Sequence, residues 1–421
     1  IRMGRLKTGT TPRLCAKTLD YSKMIPQPGD KEPLHFSFRT KPNNHHLNQI
    51  DCYLTNTNEE THQIIKENLD RSPMYQGIIT GSGPRYCPSL EDKIVRFSDK
   101  PSHHLFIEPE AKSTTEIYVQ GFNTSLPEDV QRQIIDSIDG LKGSTILKPG
   151  YAVEYDFVYP DQLFPTLECK FIQSLFFAGQ INGTSGYEEA AGQGLVAGMN
   201  AAKRANHEKP IIVSRETSYI GTMIDDLTSK NVIEEPYRMM TSRSEFRLLL
   251  RQDNALFRLS EFAFDNKLLS HDDIKIIRDI ISQRNNCIKV MNKTSITQEL
   301  ADKYNVKKMR YSNFIKRPEV MFSDISMMLS GQFNDETIER AMIEVRYSGY
   351  IDRQQRDIDK LIRFNNTTLP KNINYSDIFG LRTESRQKLI QHRPDTIFEA
   401  KKIAGINPAD IMILLSHVRS S

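Results

Sequence analysis

The chain has 421 residues, 38% apolar and 26% charged, which is enough for two or three covered cores of ordinary globular composition. It contains no apolar run of about 18 residues that would cross a membrane as a helix, and its five widely spaced cysteines, without a Cys-x-x-Cys, argue against a disulfide framework and a zinc centre. The net charge of +3 is uneven: residues 341–421 hold 13 Lys+Arg against 9 Asp+Glu, which reads either as an anion-binding end or as a solvated helical surface.

The sequence starts at Ile1 without an apolar leader, and residues 1–13 are already dense with motif-like residues. The chain is therefore expected to be a fragment lacking an N-terminal part. Strands are expected at 76–80, 103–109 and 115–121, separated by turn signals. A helix is expected over 127–140, with Pro127 in its first turn, a stripe of Val130, Ile134, Ile135 and Ile138, and Gly140 at its end. Residues 145–158 read as extended. The unbroken apolar run 174–179 reads as a strand buried in a parallel sheet, followed by a helix at about 188–203.

Beyond about residue 210 glycine thins out and amphipathic stretches follow at 218–229, 242–251, 256–292, 333–346, 350–363 and 383–391. The last helix, 407–418, has Asn407 to cap it, Pro408 at its first position and Asp410 at its positive end. The C-terminal half thus reads as all-helical.

The stretch FFAGQINGTSGYEEAAGQG (176–194) carries the sharpest chemistry. Gly179, Gly183 and Gly186 allow unusual backbone angles and close approach of a ligand, and the helix that follows presents free N–H groups. Gly192, Gly194 and Gly198 leave a flat helix face suited to lying on a sheet. Glu188 and Glu189 in the first turn would repel a pyrophosphate but tolerate a neutral, hydrogen-bonding edge such as a flavin pyrimidine, and Gln180 offers both donor and acceptor. A plain strand–helix turn is the alternative reading. In GPRYCPSLEDKIVRF (83–97), Cys87 lies beside a helix start capped by Ser89, with Arg85 and Lys93 near enough to favour its thiolate. That setting suits a nucleophilic or acid–base cysteine, although a small buried residue fits as well. Arg243, Arg247 and Arg251 recur every four residues and would share a helix face. They read equally as ion pairs with Asp225, Asp226, Glu245 or Asp253, or as RNA-phosphate contacts. The pairs His45-His46 and His103-His104 lack ligands at metal spacing, so no metal is expected.

These two stretches resemble the two signatures of the GidA/MnmG family of tRNA-modifying flavoproteins. GRLKTGTTPR (4–13), NLDRSPMYQG (68–77), EPYRMMTSRSEFRLLLRQDNA (235–255) and GYIDRQQRDIDKL (349–361) resemble further family stretches in the same order. The resemblance implies an incomplete α/β Rossmann-like FAD domain (1–25 and 110–208), an inserted α/β NADH-binding domain (26–109) and an all-α C-terminal domain (209–421) that meets tRNA and a GTPase of the MnmE family. It implies a homodimer, located in the mitochondrion if eukaryotic and the cytoplasm if bacterial. It also implies an enzyme that adds an aminomethyl or carboxymethylaminomethyl group to C5 of the tRNA wobble uridine, using FAD, NADH and methylene-tetrahydrofolate as one-carbon donor. Gly179, Gln180, Asn182, Gly183, Gly186 and Glu188 would form the second FAD contact. Gly83, Arg85, Tyr86, Lys93 and Lys7 would contact cofactor, with Arg85 and Lys93 on dinucleotide phosphate or tRNA backbone. Cys87 would attack C6 of uridine or handle a proton. The family's first FAD motif and an upstream cysteine are not found in the chain, and Thr11 stands where the family usually has proline, which is expected to loosen that turn. The related folate- and FAD-dependent tRNA uridine methyltransferases are one alternative, and a non-catalytic tRNA- and GTPase-binding piece is another.

Overall fold

The computed structural model describes residues 1–30, 37–40, 49–79, 81, 83, 88–229, 235–364, 367–403 and 405–420. They form two compact units, one of residues 1–201 and 231–239, the other of residues 202–230 and 240–421.

The first unit contains β1 (Met3–Gly9), β2 (Arg13–Cys15), β3 (Ile25–Gln27), β4 (Cys52–Asn56), α1 (Glu59–Glu67), α2 (Leu90–Arg96), β5 (His104–Pro109), β6 (Glu116–Gln120), α3 (Glu128–Ser137), β7 (Ile146–Lys148), β8 (Ala152–Val158) and most of α4 (Tyr187–Ala205). Six strands make one antiparallel sheet in the order β3-β4-β5-β6-β2-β7. Alternation along β5 and β6 turns Leu105, Ile107, Ile117 and Val119 to one side. There they share a core with Ile65 of α1, Leu90 and Ile94 of α2, and Val130, Ile134 and Ile135 of α3. Thus 103–109, 115–121 and the helix within 127–140 form as expected. Pro127 caps α3 from outside rather than opening it, and Gly140, at φ 82°, turns the chain away. The sheet runs through the expected domain boundary at 109/110, because β5 and β6 on either side of it pair with each other.

A separate two-stranded sheet pairs β1 with β8, from Met3 opposite Val158 to Gly9 opposite Ala152. Residues 76–79 form turns rather than a strand. The run 174–179 is also corrected: it makes one antiparallel bridge, Phe176 to Glu168, and Leu175–Ala178 are only half-buried. Its apolar side chains read as a buried parallel strand, yet no parallel strand lies beside it among the described residues. The flat glycine face expected on α4 is covered only in part. A Cβ built on Gly194 or Gly198 meets nothing within 4 Å, whereas Gly192 is buried.

The second unit is helical: α5 (Tyr219–Ser229), α6 (Ala255–Asp265), α7 (His271–Lys293), α8 (Gln298–Lys303), α9 (Tyr311–Phe314), α10 (Phe322–Leu329), α11 (Asp335–Phe364), α12 (Thr383–His392), α13 (Ile397–Lys402) and α14 (Pro408–Ser420). The stretch read as 256–292 is two helices, because Lys267 adopts φ 58° and Ser270 starts α7 with a capping box to Asp273. Conversely, 333–346 and 350–363 fuse into α11. The Ser348 hydroxyl bonds back to the Val345 carbonyl at 3.0 Å, and Gly349 lies in open space, so nothing breaks the helix. α14 opens as its sequence indicates: the Asp410 N–H donates to Asn407 Oδ1 at 2.9 Å, and the Asn407 N–H donates to Asp410 Oδ2 at 3.0 Å. Two cores result. One joins Cys287, Met291, Phe314, Ile325 and Ile338; the other joins Phe246, Leu250, Tyr375, Leu389, Ile411 and Leu414.

Candidate functional site

Gly179 stands at φ 89° and Gly183 at φ 74°, on either side of the single 3-10 turn Gln180–Asn182. Both angles are open to glycine and strained for other residues. The turn is cross-braced by Gln193 of α4, which has no exposed surface. Its Oε1 accepts from the Gly179 N–H at 3.1 Å and from Asn182 Nδ2 at 2.8 Å. Its Nε2 donates to Thr184 Oγ1 at 3.0 Å. The Thr184 hydroxyl then donates to the Gly179 carbonyl at 3.1 Å. A polar side chain buried in a Gly/Ala-rich helix therefore holds the loop, and its side-chain amide bonds to both backbone and side-chain partners.

The two glutamates part company. Glu188 is exposed, while Glu189 is 2% exposed and folded back over Gly186. A Cβ built on Gly186 would fall on the Glu189 carboxylate, so glycine is needed there for room, and its φ is not left-handed. Glu189 Oε1 accepts from Arg238 Nε at 3.1 Å and from the Met239 N–H at 2.6 Å. The same segment is strapped to the loop by the backbone: the Tyr237 N–H donates to the Gly183 carbonyl at 2.8 Å, and Thr184 and Tyr237 form a parallel bridge. The expectation that both glutamates face a ligand is thus corrected. Glu189 is a clasp, and Glu188 with the exposed Gln180 remains on the open side. Asn182 Oδ1 and Glu189 Oε2 are buried without a hydrogen-bond partner.

The loop has no Lys or Arg in its own residues and two acidic residues in the first turn of α4. That donor set does not suit a pyrophosphate. It does suit an uncharged polar edge that meets Gln180 and the free N–H groups of the helix start, so the residues fit the ring or polyol end of a flavin dinucleotide. β8 packs against the turn, and Lys7 on β1 lies opposite Glu154 of β8. Lys7 Nζ reaches the Ile79 carbonyl at 3.4 Å, and a Cβ on Gly83 would lie 3.8 Å from Lys7 Cε, so Lys7 and Gly83 come together. Thr11 is held in its turn: it is 3% exposed, and its carbonyl and hydroxyl accept from Arg13 at 2.9 and 2.8 Å.

Arg85, Tyr86 and Cys87 lie outside the described residues. The helix they lead into is capped as expected, with the Asp92 N–H donating to Ser89 Oγ at 3.1 Å. Lys93 binds the Gly121 carbonyl at 2.8 Å, tying α2 to the end of β6. Glu91, unforeseen in the sequence, is fully buried there. Its Oε1 accepts from the Ser125 N–H and the Thr124 and Ser125 hydroxyls at 3.0–3.1 Å, its Oε2 has no partner, and burial pushes its carboxyl up.

Arg243, Arg247 and Arg251 do not share a helix face. Arg243 ends a one-turn 3-10 helix, Arg247 is exposed in a turn, and Arg251 lies in irregular backbone before α6, because Phe246 and Leu250 are drawn into the core between them. Arg251 pairs with Asp253 at 2.8 Å and Glu344 at 3.8 Å. Asp225, Asp226 and Glu245 are taken instead by Arg215, at 3.3, 2.7 and 2.8 Å. Burial opposes the charge on Arg215, but Asp226 and Glu245 outweigh it and hold it protonated. His45 and His46 lie outside the described residues. His103 stacks on His62 with ring centroids 5.4 Å apart, and burial lowers both imidazoles. Among the described residues no group of three His, Cys, Asp or Glu is arranged to hold a metal, and no helix is long and apolar enough to cross a membrane.

Residues 1–209 match the family model described as glucose inhibited division protein A. Residues 273–355 match the tRNA modifying enzyme MnmG/GidA C-terminal helical domain, and residues 357–421 match the C-terminal helical bundle of the same enzymes. A protein of Latilactobacillus sakei named tRNA uridine 5-carboxymethylaminomethyl modification enzyme MnmG is 47% identical over 99% of this chain and 68% of its own length. One of the same name from Exiguobacterium sibiricum is 48% identical with the same coverage. The crystal structure of Aquifex aeolicus GidA in crystal form II superposes with a TM-score of 0.80 at 40% identity, over 99% of this chain and 68% of that one. The mixed α/β first part and helical second part follow that structure.

Proposed function

As the chain belongs to the MnmG/GidA family of tRNA-modifying enzymes, we propose that it modifies C5 of the wobble uridine of tRNA. The group added is of the aminomethyl or carboxymethylaminomethyl type. FAD and NADH are the redox cofactors, methylene-tetrahydrofolate is the one-carbon donor, a GTPase of the MnmE family is the partner, and the working form is a homodimer. When bound, FAD would supply the electron transfer that the reaction needs. Residues 1–25 and 110–208 would serve FAD and 26–109 NADH, the two segments sharing the six-stranded sheet, and 209–421 would form the tRNA- and GTPase-binding part.

The observation that carries this reading is the braced loop 179–189. Its glycines bring backbone close to a ligand, and Gln193 and the Glu189 clasp fix its shape. Its exposed edge offers Gln180, Glu188 and helix N–H groups to an uncharged polar partner. Asn182, Gly179, Gly183 and Gly186 would shape the flavin side of that site, with Lys7 and Gly83 beside it. Arg85 and Lys93 would serve dinucleotide or tRNA phosphate, Tyr86 the cofactor, Arg243, Arg247 and Arg251 the tRNA, and Cys87 the uridine, as nucleophile or proton carrier.

An absorbance scan of the purified chain, alone and with added FAD, tests the cofactor assignment. A flavin band that survives gel filtration supports it, and Gln180→Ala should weaken retention. A colourless chain that still binds tRNA would favour the non-catalytic reading. In flavin-loaded enzyme, Cys87→Ser should keep the flavin and abolish modification; normal modification by that variant would remove Cys87 from catalysis. The methyltransferase reading is disfavoured by residues 273–421, which match the C-terminal helical models of the MnmG/GidA enzymes.

A further inference from the structure

The last helical module contains an internal repeat. Ile378-Phe379-Gly380-Leu381 recurs 25 residues later as Ile403-Ala404-Gly405-Ile406. Gly380 stands at φ 87° and Gly405 at φ 90°. Each glycine is followed at the same offset by a helix, α12 at Thr383 and α14 at Pro408. The two turns meet around Arg382, which donates to the Gly405 carbonyl at 2.6 Å and to Asp410 Oδ2 at 2.6 Å.

The repeat makes Phe379 conspicuous. Its ring is 99% exposed, while Ile378 and Leu381 on either side are 1% and 5% exposed. The turn that presents it is rigid. Arg386 donates to the Ile378 carbonyl at 3.3 Å and the Leu381 carbonyl at 3.2 Å, and Gly380 sits against Ile413. The corresponding position of the repeated sequence is alanine, so an aromatic residue is not part of the repeated pattern. Residues 367–420 carry eight Lys or Arg against five Asp or Glu, which suits an anionic partner better than an apolar one. A rigid, fully exposed ring on a basic module is the arrangement that stacks unpaired bases.

We propose that Phe379 is a stacking platform for an unpaired base of the bound tRNA. The inference rests on the tRNA reading above and adds to it a contact residue on the α12 turn. The ordering cost of the turn on binding is reduced, because its carbonyls are already bonded and its flanking side chains buried.

The chain has no tryptophan, so Phe379→Trp in the full chain creates a single reporter. Saturable quenching of its emission by tRNA is the expected result. Fluorescence anisotropy with labelled tRNA should show Phe379→Ala binding about 5- to 150-fold more weakly than the parent, the range of one base stack, and Phe379→Trp binding at least as well as the parent. The unfolding temperature of Phe379→Ala checks that the variant folds. If the parent binds tRNA while Phe379→Ala binds equally well and the Trp emission is unchanged, the inference is overturned and the tRNA reading stands. Loss of GTPase binding alone in Phe379→Ala would also overturn it, by assigning the ring to the protein partner. If the parent itself fails to bind tRNA, both the reading and the inference fall.

Discussion

Gly186→Ala tests the clasp at its tightest point. The added methyl would occupy the position of the Glu189 carboxylate, which must then rotate away and release Arg238 Nε and the Met239 N–H. Two hydrogen bonds to a charged acceptor contribute about 1.5–3 kcal/mol each. Part of that returns, because the released carboxylate reaches water and Arg238 is already 30% exposed. The Met239 N–H regains nothing if it stays covered. Alanine also reduces the freedom of the unfolded chain, an offset of about 0.4–1 kcal/mol. The expected net loss is about 1.5–3 kcal/mol, or very roughly 3–12 °C in the unfolding temperature of a unit of this size. Scanning calorimetry reads the loss, and hydrogen exchange reads its location, with faster exchange at Met239. Glu189→Gln should lose less, since the amide oxygen still accepts. A Gly186→Ala chain within 0.5 kcal/mol of the parent, with Met239 still protected, would refute the claim that the glycine serves the clasp.

Gly221→Ala should be more damaging, because a Cβ there runs into the backbone carbonyl of Ser214 and lies 2.8 Å from the Val213 oxygen. A loss of about 2–4 kcal/mol is expected from forced overpacking against backbone, and an unchanged urea midpoint would show that 213–214 yields freely. Glu91 binds its proton more tightly when folded, because burial raises its carboxyl above the usual 4.5. The stability it confers is therefore complete below its unfolded value and falls as pH rises through the folded one. Glu91→Gln should flatten that decline above pH 4.5, so parallel pH profiles of the urea midpoint would contradict the burial argument. Arg247→Ala should leave the unfolding temperature unchanged, weaken tRNA binding and lower the salt slope by about one, whereas Arg251→Ala should destabilise by about 1 kcal/mol through its two carboxylate partners. Equal salt slopes for Arg247→Ala and the parent would take Arg247 out of the tRNA contact.

Local chemistry was legible where neighbours in sequence decide the outcome. The caps at Ser89 and Asn407, the strands 103–109 and 115–121, and the end of α3 before Gly140 follow from residues within one turn of each other. The loop 179–189 was legible as a glycine turn for the same reason. Its interior was not. Glu189 and Glu188 are adjacent and chemically identical, and only the arrival of Arg238 and Met239, about fifty residues later, makes one a clasp and leaves the other exposed. Gln193 gave one usable signal, an amide in a helix otherwise built of small residues.

The sequence by itself determined the family signatures, the division into an α/β first part and a helical second part, and most helix starts, because these depend on residue type and short spacing. The tertiary structure decided what long-range partners decide. It withdrew the shared arginine face at 243–251 by drawing Phe246 and Leu250 into the core. It gave Asp225, Asp226 and Glu245 to Arg215, and it left 174–179 with a single antiparallel bridge. An apolar run or a charge carries no record of which distant residue will satisfy it; burial and charge pairing make that choice only when the chain has closed on itself.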